Sequence, residues 1–533
     1  GAAAHPDRIP SIPTPNLEPP LPPVEAGGSK DSGLPSVSDS DSQYAPPVIS
    51  GFDILYGRPG FLESVRRRLM PNCHFENEQQ GYLPGCAEQD CRRYDSLDEA
   101  KTRCLEMGKG CGGVTKQHGQ TDAFELRTGT KVISSQAQET SFKRSCSFKV
   151  TPRPPEYVVP SGMDIDTIGT VVKGLPTIYV SVASYRDSRC TATIESLFER
   201  AKVPERVFVG IVQQNSPGSG DEECIQTPVP CNERPGQTLC RFGRQIRVHM
   251  VQAEESLGPT FGRHRADRLY RGEAYAMQVD AHSKMLKNWD DEAISQHLKT
   301  GNEYAVLTNY PSDWTALGDD GAAKWHTTPM MCNSHFEGDM VRYDSNPEKP
   351  VPARYNGSPL LQPFWGAGAS FARGHRIVRV PYDCCLPMMF TGEEFSMTSR
   401  MWSNGYDLYT FHHSVIYHQY GGDKRPPMFW ENGRSHEHAA EKSRNRLWVI
   451  FGFPRPAGTY WDEDIEKYGL GNKRDIRKYR RLFGINLEKR TIAENCPAVT
   501  SFKVHDELTK HLRADGKGID YSQVPDDLFH RSA

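Results

Sequence analysis

The chain has 533 residues, which is too long for one compact core and predicts roughly two to four domains, at least one of them large enough for a deep active site. Its 64 Lys and Arg residues nearly balance its 67 Asp and Glu residues, and the net charge of -3 gives no electrostatic reason to expect a nucleic-acid partner. Short basic runs at 66–68 and 473–481 are typical of solvated helix faces.

Residues 1–51 form the first predicted segment. They are rich in Pro, Ser, Gly and Asp and poor in apolar residues. Such a composition cannot bury enough apolar surface to offset the conformational entropy lost on folding, so it predicts a flexible stalk. No stretch reaches the roughly 18 to 20 continuous apolar residues of a membrane-spanning helix, and the chain does not open with a signal peptide.

Six cysteines are concentrated in the next segment, 52–150. They are Cys73, Cys86, Cys91, Cys104, Cys111 and Cys146. An even number of cysteines at this density predicts a disulfide framework formed in an oxidising compartment. A zinc site is the alternative, but the spacings do not form two tight pairs of ligands.

The same segment has a helical pattern at 96–105, with Ser or Asp near its start available as a cap, and strand-like runs at 113–115 and 140–142. One helix, several strands and paired cysteines resemble the apple/PAN type of small α+β extracellular module. The resemblance implies a module that binds protein or carbohydrate, and a plain structural spacer is the alternative. A linker at 151–174 follows.

Strands and helices alternate from Pro176, so the domain at 175–435 is predicted to be α/β. Strands are expected at 177–182, 206–212, 245–251 and 274–279, and helices at 191–201 and 260–271. This alternation predicts a mainly parallel sheet whose ligands lie at the carboxyl ends of the strands. The chemistry is therefore expected just after these strands.

Asp280-Ala281-His282 ends the last of these strands with two residues that can bind a metal. Their spacing places both side chains on the same side of an extended chain. A carboxylate and an imidazole suit one divalent cation, and this mixed pair modestly favours Mn²⁺ over Mg²⁺. An isolated Asp-x-His is common, however, and its alternative interpretation is a strand-end turn with a surface histidine.

Ordered motifs on both sides of Asp280 extend over 175–435, about half of the chain. They are 180–187 (VSVASYRD), 213–214 (QQ), 258–263 (GPTFGR), 270–275 (YRGEAY), 277–282 (MQVDAH), 380–383 (VPYD), 392–394 (GEE), 400–402 (RMW), 405–409 (GYDLY) and 417–420 (YHQY). Together they resemble the polypeptide α-N-acetylglucosaminyltransferase family, which includes protist enzymes that modify serine, threonine or hydroxyproline. The match departs at 283–285, where Ser-Lys-Met replaces a Met-Arg-Phe-like sequence.

The resemblance implies a GT-A fold, a UDP-GlcNAc donor and retention of configuration at the anomeric carbon. Asp280 and His282 would bind Mn²⁺ or Mg²⁺, which neutralises charge that develops on the diphosphate leaving group. His418 follows the strand-like run 414–417 and would be the third protein ligand. Its alternative interpretation is a half-buried strand histidine bonded to a backbone carbonyl.

The loop after the first strand would bind the nucleotide through Ser184, Tyr185, Arg186 and Asp187. In this interpretation the Tyr185 ring or the Arg186 plane stacks on the base, and the Asp187 carboxylate accepts a hydrogen bond from the base or the ribose. An ordinary polar turn after a buried strand is the alternative.

Glu393 and Glu394 would face the donor sugar and the acceptor, and one of them would bind sugar hydroxyls or receive the acceptor hydroxyl. Two carboxylates that open a helix can also simply favour its positive end. Arg263 would either reach the phosphates or form an internal ion pair. Gly366 and Gly368 would let the backbone approach a sugar closely, although a tight turn requires the same glycines.

The last segment, 436–533, is predicted to be a helical extension that packs on the catalytic domain, with amphipathic stretches at 437–448 and 473–482. No motif in this segment indicates chemistry. It would cover the sheet or help to bind the acceptor.

These observations predict a metal-dependent retaining transferase that moves GlcNAc from UDP-GlcNAc to a hydroxyl of a protein, on Ser, Thr or hydroxyproline. One alternative keeps the fold and changes the substrate, with UDP-GalNAc as the donor or a glycan as the acceptor. The other is a secreted carbohydrate-binding protein with an inactive transferase domain.

The order of stalk, disulfide-rich module and enzymatic domain is typical of a Golgi type II membrane protein. We therefore expect lumenal residence, with membrane contact only through an N-terminal anchor that is absent from this chain. The possible glycosylation site Asn356-Gly357-Ser358 is consistent with the secretory pathway.

Overall fold

The structure is a computed structural model. It describes residues 72–107, 110–119, 123–147, 151–216, 219–344, 347–421, 427–431, 437–453 and 459–529. The predicted stalk at 1–51 lies outside the described residues. Within these ranges no helix is both long enough and apolar enough to cross a bilayer.

The first described region is a small antiparallel sheet with one helix. Its elements are β1 (Asn72–Phe75), β2 (Gln79–Gln80), β3 (Arg93–Tyr94), α1 (Leu97–Glu106), β4 (Gly113–Lys116), β5 (Phe124–Arg127) and β6 (Thr140–Ser147). The strand order is β1-β6-β4-β5-β3, with β2 paired to β6. Ser96 caps α1 by accepting a hydrogen bond from the backbone N–H of Glu99. The sequence predicted a cap by Ser or Asp at this position.

Disulfides stabilise this small region. Cys86 pairs with Cys91, Cys104 pairs with Cys111, and Cys73 is also disulfide-bonded. The predicted disulfide framework is therefore confirmed. Helix α1 packs on the sheet through Ala100 and Cys104. The core of this region is therefore small, with one helix and a few strands around it. The likeness to an apple/PAN module stays a prediction.

A larger mixed α/β region follows. Its strands are β7 (Val171–Val172), β8 (Leu175–Pro176), β9 (Ile178–Tyr185), β10 (Val207–Asn215), β11 (Ile246–Gln252), β12 (Tyr275–Asp280), β13 (Ser283–Met285), β14 (Ala305–Asn309), β15 (Ser312–Asp313), β16 (Thr328–Pro329), β17 (Ser334–Glu337), β18 (Met340–Tyr343), β19 (Glu348–Lys349), β20 (Leu360–Leu361), β21 (Ala369–Arg373), β22 (Asp407–Thr410) and β23 (Ile416–His418). Its helices are α2 (Cys190–Glu199), α3 (Thr238–Arg241), α4 (Pro259–Asp267), α5 (Trp289–Lys299), α6 (His375–Arg379) and α7 (Glu393–Ser403).

Eight of these strands form the central sheet in the order β11-β10-β9-β12-β21-β14-β22-β20. Strands β11, β10, β9 and β12 are parallel to one another, as are β14 and β22. Strand β21 is antiparallel to both β12 and β14, and β20 is antiparallel to β22. The sheet is therefore mixed but mainly parallel, as predicted, because only β21 and β20 run opposite to the other six strands. The α/β class is confirmed. The four adjacent parallel strands, which we call the parallel half, are the part that the alternating strands and helices predicted. These four strands appear in the sequence as continuous apolar runs because they are buried on both faces.

The predicted elements of the parallel half lie within a few residues of the observed ones. The largest difference is at α4, which ends at Asp267 and not at Arg271. Beyond this end the chain turns toward β12 at Gly272, whose φ of 89° is a left-handed conformation that favours glycine.

Two features of the topology bring the predicted ligands together. Strands β9 and β12 are parallel neighbours with Asp280 opposite Ala183, so the residues after both strands meet at one edge of the sheet. A small separate sheet has the order β13-β23-β15, in which His418 lies opposite both Ser283 and Asp313. This second pairing places His418 next to the Asp-x-His turn.

The last region consists of four α-helices and one two-stranded sheet among the described elements, and it packs against the α/β region. Its elements are α8 (Glu437–Ile450), α9 (Ile476–Leu482), β24 (Ile485–Asn486), β25 (Thr491–Ile492), α10 (Cys496–Thr500) and α11 (Lys503–Leu508). Helix α9 begins at Ile476 because the Asp475 side chain caps it. The Tyr479 ring on α9 packs on Trp402 of α7, with ring centroids 5.6 Å apart. A disulfide between Cys332 and Cys496 also joins this region to the α/β region.

Candidate active site

Three side chains that can bind a metal converge at the end of β12. They are those of Asp280, His282 and His418, and one ligand atom of each lies within 4.8 Å of the others. His418 Nε2 is 3.3 Å from Asp280 Oδ2, and the two imidazole ring centroids are 4.4 Å apart. The structure therefore brings together all three residues that the sequence predicted as ligands. One carboxylate and two imidazoles form a donor set that suits Mn²⁺ and related divalent cations.

The His282 ring is oriented by Asp187. Its Nδ1 lies 2.6 Å from Asp187 Oδ2, and both carboxylate oxygens also accept hydrogen bonds from Arg189. Burial acts to raise the pKa of Asp187, but the hydrogen bonds from His282 and Arg189 outweigh burial and hold the pKa at about 2. A proton held on Nδ1 leaves Nε2 as the free ligand atom, which is the usual arrangement for a metal-binding histidine. In this structure the Asp187 carboxylate contacts His282 and Arg189, whereas the sequence predicted that it accepts a hydrogen bond from the base or the ribose.

Arg263 connects the metal cluster to helix α7. Its Nη2 donates to Asp280 Oδ1 at 2.8 Å, and its Nη1 donates to Glu393 Oε1 at 2.5 Å. The structure contains the internal ion pair that was one of the two alternatives for Arg263. Because Arg263 occupies Oδ1, the Oδ2 atom of Asp280 is the oxygen that faces His418.

Glu393 and Glu394 open helix α7 after Gly392, whose φ of 109° lets the chain turn sharply into the helix. Glu393 is buried and is held by Arg263. Glu394 accepts a 2.5 Å hydrogen bond from the Tyr310 hydroxyl and a 2.8 Å bond from the backbone N–H of Ala367. Burial raises the pKa of Glu394 to about 7 despite these two hydrogen bonds. The two neighbouring carboxylates therefore have different partners and different surroundings.

A cavity of about 280 Å³ lies on one side of the metal cluster. Tyr185 and Asp187 line it, together with several groups that the sequence analysis did not identify. These additional groups include Ser256, Phe390 and the run Pro427, Met428 and Phe429, and Gln214 of the 213–214 motif also lines the cavity. A cavity with three aromatic rings, a few polar groups and an adjacent cation site can hold a planar base and a ribose.

Two of the predicted nucleotide-binding residues do not line this cavity. Arg186 has a φ of 52°, and its guanidinium forms a bidentate ion pair with Asp221 at 2.8 and 2.9 Å. Ser184 is buried, and its Oγ has no hydrogen-bond partner among the described residues. Their predicted contacts with the nucleotide stay predictions.

A second cavity of about 630 Å³ lies on the other side of the cluster. Both predicted glutamates line it, as does Gly368. Its other polar lining groups include Tyr310, Asp313, Arg342, Tyr343, Asp344, Glu348, His418 and Tyr420, most of which the sequence analysis missed. Gly366 is not part of the lining, and a Cβ there would lie 2.9 Å from backbone atoms of Asn309, so the glycine is required by chain packing.

The two cavities meet at the metal cluster. Asp280, Arg263 and Phe390 line both of them. A cation held by Asp280 and the two histidines would therefore lie at the junction of the two spaces. This arrangement allows one elongated ligand to occupy both cavities, with its most highly charged part at the junction.

The chain was compared with family models, curated proteins and solved structures. A family model described as Glycosyltransferase (GlcNAc) matches residues 177–232 and 221–489. The chain is also similar to the crystal structure of GalNAc-T7 with UDP, GalNAc and Mn²⁺, at a TM-score of 0.38 and 12% identity over 63% of this chain and 68% of that one. A further similar structure is S. aureus TarS 1-349 in complex with UDP-GlcNAc, with a TM-score of 0.31 and 13% identity over 51% of this chain and 66% of that one. No curated protein matches the sequence.

Proposed function

Because the chain belongs to the GlcNAc glycosyltransferase family, we propose that it is a metal-dependent, retaining enzyme that transfers GlcNAc from UDP-GlcNAc to a hydroxyl of a protein. Its fold is a mixed α/β fold of the GT-A type. The observation that carries the proposal is the position of Asp280, His282 and His418 at the junction of the two cavities. A nucleotide sugar has the same layout, with a planar nucleoside, a diphosphate and a sugar in sequence.

The ligand set fits a divalent cation. Asp280 offers Oδ2, the Nε2 atom of His282 is left free by the contact between Nδ1 and Asp187, and His418 Nε2 lies 3.3 Å from Asp280 Oδ2. When bound, the cation would neutralise negative charge on the diphosphate oxygens of the leaving group. Asp187 would fix the orientation of the His282 ring.

The nucleoside would occupy the smaller cavity, and the sugar and the acceptor would occupy the larger one. Tyr185 and Phe429 offer aromatic rings in the smaller cavity. Glu394 is a half-buried residue in the lining of the larger cavity, whereas Glu393 is buried against Arg263. We therefore assign Glu394 to the sugar or acceptor hydroxyl, and Glu393 to the positioning of Arg263. A retaining reaction of this type depends mainly on position and charge stabilisation, so it requires no strong base.

The proposed compartment is the lumen of the secretory pathway. The described disulfides are spread over the small N-terminal region and the catalytic region. Disulfides in this number are characteristic of oxidising compartments. Acceptors in that compartment are secretory proteins, and a hydroxyl of Ser, Thr or hydroxyproline is the proposed site of transfer.

The direct test is hydrolysis of nucleotide sugars in the absence of an acceptor. UDP-GlcNAc, UDP-GalNAc, UDP-glucose and UDP-galactose are each incubated with the full chain and Mn²⁺, and released UDP is measured. We expect UDP-GlcNAc to be hydrolysed fastest, and we expect chelator to abolish the reaction. Preference for UDP-GalNAc would change the donor assignment, and hydrolysis of none of the four would contradict the enzyme proposal.

A further inference from the structure

A separate cavity of about 630 Å³ adjoins the larger active-site cavity. The two share Phe390 and Thr391 as a common wall. Three parts of the fold build the separate cavity: the turn between β17 and β18, the segment 388–391, and the C-terminal region through α8 and the turn between β24 and β25. We call it the flanking groove. Its lining residues are Glu337, Gly338, Asp339, Met340, Met388, Met389, Phe390, Thr391, Ala440, Arg444 and Arg490.

The floor of the flanking groove is rich in methionine. Met340 and Met389 are buried, and Met388 has a φ of 59°, a left-handed conformation that non-glycine residues adopt rarely. A 2.5 Å hydrogen bond from the Met388 backbone N–H to the Leu257 carbonyl helps to hold this conformation. Phe390 remains 53% exposed at the boundary with the active site. Flexible, polarisable methionines are suited to accommodate apolar side chains of varied shape.

Two arginines, Arg444 and Arg490, line the side of the groove that the C-terminal region forms. Arg444 lies four residues after Ala440 on α8, so both face the groove from one side of the helix. Arg490 comes from the turn between β24 and β25. Neither guanidinium has a hydrogen-bond or ion-pair partner among the described residues. Cations without a partner beside an apolar floor suit a ligand that carries an anionic group.

The acidic residues of the groove, in contrast, have partners. Glu337 forms a 2.5 Å ion pair with Arg342 and also accepts a hydrogen bond from the Thr391 hydroxyl. Asp339 accepts a 3.1 Å hydrogen bond from the Trp448 indole. The groups still available for a ligand are therefore the two guanidinium groups and the apolar floor.

We propose that the flanking groove binds the acceptor as a polypeptide, in the segment next to the modified hydroxyl. An apolar side chain of that segment occupies the methionine floor, and an acidic side chain pairs with Arg444 and Arg490. This inference rests on the proposed function, because it locates the binding of the protein acceptor of that enzyme and gives its side-chain preference. It also gives the C-terminal region a role in acceptor choice.

The chemistry of the groove favours a peptide over a glycan. Neutral sugars are bound by flat aromatic faces together with many hydrogen-bonding groups, and these features belong to the active-site cavity, with Tyr310, Tyr343 and Tyr420. Three thioethers and two guanidinium groups match instead an apolar and an acidic side chain held a few residues apart on one extended chain.

The test uses the full chain, Mn²⁺ and the donor that the hydrolysis panel selects. The acceptors are short synthetic peptides with one Thr, one Leu and one variable residue that is Glu, Gln or Lys and is scanned through the flanking positions. We expect one register in which kcat/KM is highest for Glu and lowest for Lys. In that register, Arg444→Gln combined with Arg490→Gln lowers kcat/KM for the Glu peptide at least about tenfold, as expected when the charge-assisted hydrogen bonds from both guanidinium groups are lost.

Two further variants distinguish local charge from general effects. Arg490→Glu shifts the preference from the Glu peptide toward the Lys peptide. Lys489→Gln removes one charge from the same exposed turn outside the groove, and it leaves the preference unchanged. All variants are expected to hydrolyse the donor at the wild-type rate in the absence of acceptor.

The outcomes separate the two proposals. Normal donor hydrolysis with equal use of the Glu, Gln and Lys peptides in every register would overturn the groove proposal and leave the proposed function standing. Transfer to free oligosaccharides that falls in the double arginine variant, with no transfer to peptides, would assign the groove to a glycan and also overturn it. Absence of donor hydrolysis in the wild type would overturn both.

Discussion

The Nδ1 atom of His282 lies 2.6 Å from Oδ2 of Asp187, although the two residues are far apart in the sequence. Asp187 follows β9, His282 follows β12, and these strands are parallel neighbours in the sheet. The contact selects the tautomer of the imidazole and directs its other nitrogen toward Asp280 and His418. The sheet topology thus prepares one ligand of the metal site before any cation binds.

Replacement of Asp187 tests this relationship. Asp187→Asn keeps the shape of the side chain but removes the charge that holds the His282 proton on Nδ1. We expect Mn²⁺ affinity to fall about tenfold or more, the usual range for loss of a carboxylate behind a metal-bound histidine. Calorimetric titration with Mn²⁺ measures the change. Asp221→Asn serves as the control, because Asp221 pairs with Arg186 and not with a ligand, and an equal loss in both variants would contradict the assignment.

The metal ligands are tested through the binding of UDP. Because a bound cation bridges the protein and the diphosphate, UDP should bind the wild type much more tightly with Mn²⁺ than with chelator. Asp280→Asn, His282→Ala and His418→Ala should each remove most of this gain and leave the fold intact. His438→Ala is the matched control, since that histidine is 83% exposed and lines neither active-site cavity. Full Mn²⁺-dependent binding in His418→Ala would show that His418 is not a ligand.

The ion pairs of Arg263 make it a stabilising residue as well as a site residue. Its side chain is 12% exposed and its partner Glu393 is 5% exposed, so Arg263→Met leaves buried negative charge without a partner. Loss of one partner from a buried pair costs about 3 to 5 kcal/mol, and we expect a fall in unfolding free energy near the lower end of that range. Urea unfolding measures it.

The exposed pair of Arg342 and Glu337 supplies the control for Arg263. Both side chains are 46% exposed, and Arg342→Met should cost less than about 1 kcal/mol. In the double variant Arg263→Met with Glu393→Gln, part of the lost stability should return because one buried charge is gone. A loss in Arg263→Met that matches the loss in Arg342→Met would contradict a structural role for the Arg263 pairs.

The parallel half of the sheet and the metal ligands could be predicted because their signals are local or ordered along the chain. Buried parallel strands appear as apolar runs, and Asp280 terminates one of these runs. His418 was identified through ordered motifs, and its position is then fixed by the pairing of β13 with β23.

Other parts of the site could not be predicted, because long-range contacts decide them. The sequence gives no sign that Arg186 turns toward Asp221, since this depends on a positive φ and on the course of a later loop. Tyr310 lies far from the predicted motifs, and only the folded chain brings it to Glu394. Tyr420 is the last residue of the 417–420 motif, and its contact with the His418 ring also depends on the fold. The antiparallel strands β20 and β21 are short or follow glycine-rich turns, so their periodicity is weak.

The disulfide between Cys332 and Cys496 should contribute strongly to stability. It closes a loop with a sequence separation of 164 residues and joins the C-terminal region to the catalytic region. The cross-link restricts the unfolded chain, and its loss through Cys332→Ala with Cys496→Ala should cost about 2 to 5 kcal/mol. Thermal unfolding under non-reducing conditions measures the effect. Cys384→Ala with Cys385→Ala is the matched control, because that disulfide joins adjacent residues and closes almost no loop.

Glu394 should make the stability of the protein depend on pH. Burial, and to a smaller extent the neighbouring Glu393 charge, raises the pKa of Glu394 from 4.5 to about 7 in the folded protein. Between these two pH values the folded state binds more protons at this site than the unfolded state, so the stabilising contribution is complete below about pH 4.5 and is lost as the pH rises to about 7. A shift of this size corresponds to roughly 3 kcal/mol over that window.

Glu394→Gln cannot ionise, and its amide can donate to the Tyr310 oxygen while its carbonyl accepts from Ala367, which imitates the protonated acid. We therefore expect the variant to gain stability relative to the wild type as the pH is raised from about 5 to about 8, measured by urea unfolding at each pH. Arg263, Tyr343 and Tyr420 also face this carboxyl but are unchanged in the comparison. Parallel stability profiles for the two proteins across this range would mean that Glu394 is already ionised in the native state.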